Sequence, residues 1–136
     1  ILMDQYLRVN SSYERLKSEY DKYGSIVVAF DFDNTVYDFH KEGHTYDDVI
    51  QLLRNLKSIG CYLICFTASE DENFIHDYMV DNNIPFDCIN DNPPFFKSDS
   101  KKIYYNVLLD DRAGLIQTYW ELTKLYNECN KSNGWL

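Results

Sequence analysis

The chain has 136 residues, enough for one domain that buries about 68% of its unfolded surface around a single core without disulfide or metal support. A formal charge of −9 argues against a surface built for generic nucleic-acid backbone binding, which needs clustered Lys and Arg, and 45% hydrophobic with 26% charged residues argues against disorder. No apolar run approaches the roughly 20 residues of a membrane span, and no basic stretch leads an apolar one as in a signal peptide, so a cytoplasmic protein without a membrane partner is expected.

In chain order, Leu2, Tyr6, Val9, Tyr13, Leu16, Tyr20 and Tyr23 recur at spacings of three and four. This predicts an amphipathic helix over residues 1–24, closed by Gly24 and packed on its own domain. From Ser25 the pattern changes to short β-rich runs separated by helical segments. "SIVVAFDFD" reads as a buried strand, and "TYDDVIQLLRNLKSIG" as a helix with Thr45 as N-cap and Gly60 as C-cap. "CYLICFT" reads as a second strand, followed by a helix that Ser69 and Glu72 open at capping-box spacing. "PFDCIN" is a short third strand, "DNPPFFKSDSK" a loop and "YYNVLLDD" a fourth strand. A helix over about residues 113–128 closes the domain of residues 25–128, and residues 129–136 read as a tail. Apolar strands alternating with helices indicate an α/β fold with a parallel sheet and right-handed crossovers. Cys61 and Cys65 stand about 13 Å apart along one strand, too far to pair, so four reduced cysteines are expected.

Three of these strand runs stop on residues suited to phosphate or metal chemistry: Asp31 and Asp33, Thr67, and Asp110 with Asp111. Ligands of open α/β sheets bind outside the carboxyl ends of the strands, so residues up to 80 positions apart can converge there. Four carboxylates in one pocket repel unless a divalent cation holds them, and all-oxygen ligation suits Mg2+. Thr67 supplies a hydroxyl just ahead of a helix N-terminus, and Lys97, Lys101 or Lys102 could add a cation for a phosphoryl group.

"DFDNT", "CFTAS", a lysine and "LLDDRAG", in this order and at these strand ends, resemble the motifs of the haloacid dehalogenase superfamily of phosphohydrolases over roughly residues 25–125. Asn34 stands where that family's first motif usually has Gly; Asn also tolerates left-handed backbone. The resemblance implies a Rossmann-like three-layer sandwich of about four strands in the order 3-2-1-4. It implies Asp31 as nucleophile and Asp33 as acid and base. It also implies Mg2+ on Asp31, Asp33 through its carbonyl, Asp110 and Asp111. The phosphoryl group would be held by Thr67, Lys102 and backbone N–H groups near Phe32 and Ala68, with Lys101 the alternative lysine.

The linkers leave no room for the cap domain that many such enzymes carry, so the resemblance is to capless members. Their open sites take large substrates or borrow a neighbouring subunit as a lid, which makes a homo-oligomer plausible. The expectation is a Mg2+-dependent phosphomonoester hydrolase acting on a small metabolite such as a nucleotide or sugar phosphate. A polynucleotide 3′-phosphatase is the alternative within the same chemistry. A receiver-like signalling domain, or a non-catalytic phosphate or metal binder, is the alternative outside it. Arg112 reads equally well as an ion-pair partner or a substrate contact. His40, His44 and His76 read as surface residues, Asn90 and Asn92 as turn formers that could line the pocket, and Tyr37, Phe39 and Tyr46 as core or stacking aromatics.

Overall fold

The computed structural model describes residues 4–133, with side chains to residue 130. Four parallel strands, β1 (Val27–Phe30), β2 (Tyr62–Cys65), β3 (Cys88–Ile89) and β4 (Val107–Leu109), form one sheet in the order β3-β2-β1-β4. Helices α1 (Ser11–Tyr23), α2 (Asp47–Ser58), α3 (Glu72–Asp81) and α4 (Leu115–Asn133) flank it. The architecture is α/β and Rossmann-like, with the expected strand order.

Period-two alternation sorts the strand residues onto two sides. Val28, Phe30, Leu63, Cys65, Val107 and Leu109 join one core with Leu16 of α1, Leu53 and Leu56 of α2, Ile75 and Met79 of α3, and Leu122 and Leu125 of α4. Val27, Ala29 and Ile64 form a second, smaller core with Ile103, Tyr104 and Tyr105. The layer on that side is thus supplied by the loop 90–106, an aromatic cover where a crossover helix would otherwise lie. Side-chain hydrogen bonds hold this loop: Asn92 Oδ1 accepts from the Tyr104 amide and Asn106 Oδ1 from the Val27 amide.

Several expected boundaries move, each for a local reason. The amphipathic stripe does not make one helix from the N-terminus, because Asn10 adopts φ 69° and α1 starts at Ser11. Ahead of it lies a 3-10 turn, Gln5–Leu7, and there Tyr6 and Val9 are exposed; Leu2 lies outside the described residues. Tyr46, not Thr45, precedes α2, and Ile59 rather than Gly60 caps its end. Gly60 takes the positive φ of 88° that the following turn requires. α3 is capped by Asp71, whose carboxylate accepts from the Phe74 amide, so the Ser69/Glu72 capping box does not form. α4 runs through residues 129–133, where a tail was expected; residues 134–136 lie outside the described residues. All four cysteines are free, two of them deep in the core. Among the described residues no helix is long and apolar enough to cross a membrane.

Candidate functional site

The register of the sheet builds the site. Phe30 pairs with Leu109, and the next amide, that of Asp31, donates to the Leu109 carbonyl at 2.8 Å, which sets Asp31 beside Asp110. On the other flank Phe30 pairs with Cys65, so Thr67 leaves β2 at the same edge. Carboxylate oxygens of Asp31, Asp110 and Asp111 all lie within 4.8 Å of one another. Residues 80 positions apart therefore meet because parallel strands end together.

A tight turn follows β1. The Phe32 carbonyl accepts from the amides of Val36 and Tyr37 at 3.1 and 3.0 Å, and Asn34 sits at φ 60°, the left-handed geometry that asparagine tolerates. The turn drives the Thr35 side chain into the protein, where it is fully buried. Its hydroxyl lies 3.4 Å from Asp31 Oδ2, to which it can donate, and accepts from the Asp111 amide at 3.3 Å. Thr35 is the pin that joins the β1 and β4 halves of the acidic cluster. Its position in the "DFDNT" run was visible in sequence, but a role spanning both halves depends on burial, which spacing does not report.

Thr67 is also held. Asn90, at φ 52°, accepts from the Thr67 amide and donates to the Thr67 carbonyl, both at 2.8 Å. The Thr67 hydroxyl accepts from the Ser69 amide at 3.1 Å, which leaves its own proton to donate into the cavity. Asn90 thus acts as a clamp behind Thr67 rather than as a lining residue. The start of α3 is five residues past Thr67 and already capped by Asp71, so no helix N-terminus faces the site directly; the loop amide of Ala68 has no hydrogen-bond partner among the described residues.

Asp31, Asp33, Asn34, Phe39, His40, Phe66, Thr67, Ala68, Asp110, Asp111 and Arg112 line a cavity of about 530 Å³. Burial, then the charge of Asp110, then a hydrogen bond and the charge of Asp111 push the Asp31 carboxyl up to about 7, against a smaller pull downward from the Phe32 backbone. Burial, and secondarily Asp111, also raises Asp33. Crowded, partly desolvated oxygen donors of this kind fit a hard divalent cation, which would relieve both causes at once. Asp110 also shapes the rim, since its Oδ1 accepts from the Arg112 amide at 2.9 Å.

Not every expected residue converges. Lys102 is exposed and outside the cavity lining; its ammonium rests 5.9 Å from the Tyr105 ring centroid, and that ring adjoins Phe66 of the cavity wall. Lys97 and Lys101 are exposed on the same loop and likewise do not line the cavity. Phe32 does not line the cavity: its ring is buried against Tyr37, Phe74 and Tyr78, and its backbone bears on the Asp31 carboxyl. Tyr37 belongs to that aromatic cluster, whereas Phe39 and His40 face the cavity. His44 and His76 stay on the surface beside Glu42 and Asp77. Arg112 lines the cavity and forms no ion pair among the described residues, which the triplet "DDR" alone could not decide.

Neither a protein-family profile nor a curated protein sequence matches the chain. A solved structure, that of a conserved protein coded by a locus from Bacteroides thetaiotaomicron, is similar at TM-score 0.59 and 18% identity, covering 79% of this chain and 92% of that one. That likeness supports the fold alone.

Proposed function

We propose that the chain is a Mg2+-dependent phosphomonoester hydrolase of the haloacid dehalogenase type, working without a cap domain and through a phosphorylated Asp31. The observation that carries this reading is the meeting of Asp31, Asp110 and Asp111 oxygens within 4.8 Å, in a cavity that also holds Asp33 and the Thr67 hydroxyl. Asp31, Asp110, Asp111 and the Asp33 carbonyl would hold the cation. When bound, it supplies positive charge against the phosphoryl oxygens and keeps Asp31 ionised.

In the first half-reaction an Asp31 carboxylate oxygen forms a bond to phosphorus while the bond from phosphorus to the leaving oxygen breaks. Asp33 gives its proton to that oxygen, and the product departs as an alcohol. In the second, Asp33 takes a proton from water as the water oxygen bonds to phosphorus. The Asp31–phosphorus bond breaks, releasing inorganic phosphate and restoring both carboxyls. Burial and the charge of Asp111 raise the Asp33 carboxyl, the direction that favours a proton-carrying role. The Thr67 hydroxyl and Ala68 amide donate to phosphoryl oxygens, and Lys102 swings from its perch over Tyr105 to add charge there.

A receiver-like module fits less well, because here the paired acids directly follow β1, the first strand, with the candidate acceptor among them, and Thr67 follows β2. A panel of phosphorylated metabolites, assayed with Mg2+ and with EDTA, tests the proposal. Phosphate release that needs Mg2+ and vanishes in Asp31→Asn supports it, and release unaffected by both contradicts it.

A further inference from the structure

The phosphohydrolase chemistry occupies only part of the cavity. A phosphoryl group with its cation engages Asp31, Asp33, Thr67, Ala68, Asp110 and Asp111, which leaves Asn34, Phe39, His40, Phe66 and Arg112 for whatever the phosphate is attached to. Among the described Lys and Arg residues, several on the surface lack an acceptor, but Arg112 alone lines this cavity. Arg15 and Lys17 pair with carboxylates one helical turn on, Lys57 pairs with Asp87, and Arg54 donates to the Asn82 and Asn83 carbonyls. Among the described residues Arg112 has no acceptor for its guanidinium, although 22 acidic residues outnumber 13 basic ones and Asp110 and Asp111 precede it directly. Asp110 meets the Arg112 backbone amide instead, which fixes the main chain at the rim and leaves the side chain to the cavity.

A cation left free beside so many carboxylates has a physical use. A substrate carrying a second anion would be repelled by Asp33, Asp110 and Asp111 unless positive charge met that anion away from the metal, and Arg112 is the one Lys or Arg among the described residues lining this cavity. We propose that Arg112 binds a second anionic group on the leaving portion of the substrate, so that the site selects phosphomonoesters that also bear another phosphate or a carboxylate. This rests on the phosphohydrolase reading for its reaction, though not for its binding. The guanidinium offers a forked pair of donors to either group, and the Phe39 ring, 53% exposed in the same lining, offers an apolar face to the body of such a molecule.

The test compares kcat/KM for adenosine 3′,5′-bisphosphate and for 3-phosphoglycerate, each relative to 4-nitrophenyl phosphate, in wild type, Arg112→Ala and Arg112→Lys. Arg112→Ala is expected to lower at least one of these ratios about tenfold to a hundredfold, with Arg112→Lys between it and wild type. The probe affected tells phosphate from carboxylate. Ratios unchanged in both variants overturn the inference. Calorimetric binding of the same two probes with Mg2+ to Asp31→Asn, with and without Arg112→Ala, reads the contact without turnover, and equal affinities there also overturn it. If wild type hydrolyses none of the three compounds yet binds a probe through Arg112, the hydrolase reading fails and this inference stands. If 4-nitrophenyl phosphate is hydrolysed while Arg112 changes nothing, the reverse holds.

Discussion

Two cavities of nearly equal size, about 550 Å³ and about 530 Å³, lie at opposite ends of the same strands. The one at the amino ends is walled by Tyr23, Ile26, Phe95, Phe96 and Tyr104, and the one at the carboxyl ends by carboxylates, Thr67 and Arg112. Size does not separate them. What does is the cost of their groups: aromatic walls are stable without a ligand, whereas three carboxylates within 4.8 Å are held together against repulsion by Thr35 and the sheet register. Crowded charge kept at one end and absent from the other is why the proposed chemistry is assigned to the carboxyl ends.

The sharpest way to break the contrast is at Asp31, the proposed nucleophile. With Mg2+, Asp31→Asn is expected to lose at least about a thousandfold in kcat, while Phe96→Ala at the other end leaves kcat within about twofold. Equal losses would erase the distinction between the ends. Next comes Thr35→Val, which removes the pin. It leaves the Asp111 amide without its acceptor, so a loss of about 1–3 kcal/mol in denaturant unfolding is expected, with kcat down about tenfold to a hundredfold. Asn90→Ala frees the Thr67 backbone and should cost about 1–2 kcal/mol, with about tenfold in kcat/KM.

Dependence on pH sharpens the same comparison by a smaller margin. Burial and the neighbouring Asp110 and Asp111 raise the Asp31 carboxyl from 3.8 to about 7, so in metal-free protein the folded state keeps a proton that the unfolded chain has already released. Stability from this group is greatest below the lower value and falls as pH rises through the higher one. Thermal melts in EDTA should therefore fall from about pH 5 to pH 8, and Mg2+ should raise Tm more at pH 8 than at pH 5. A Mg2+ shift independent of pH would contradict a cation seated on Asp31. Smallest of all, Phe96→Ala loses one ring stacked on Tyr104 at 4.6 Å, worth about 1 kcal/mol of stability.

Much of this was legible in the residues. β1 and β2 announce themselves as apolar runs, and the acids and Thr67 end them, so a rule about strand ends places Asp31, Thr67 and Asp110 together before any coordinates. Short edge elements were harder. β3 keeps only two residues because it pairs on one side alone, and loop 90–106 covers the sheet through Ile103, Tyr104 and Tyr105, which no periodicity distinguishes from a strand. The cap of α3 shifted because Asp71 accepts from the Phe74 amide, while the Glu72 amide that Ser69 would have capped donates to the Glu70 carbonyl. Lys102 lay outside the cavity for a related reason: the loop's aromatic residues are committed to the sheet, and a lysine stem packs over one of them. Arg112 and Thr35 needed three dimensions, since freedom from ion pairs and complete burial are not properties of spacing.

The most direct test of the central claim is chemical trapping of the acyl phosphate. Protein turning over a phosphomonoester with Mg2+ is quenched with hydroxylamine, which converts an aspartyl phosphate to a hydroxamate, and the modified peptide is mapped by mass spectrometry. The hydroxamate is expected at Asp31, dependent on Mg2+ and absent from Asp31→Asn. Turnover that gives no modification, or modification at another carboxylate, would contradict the assignment.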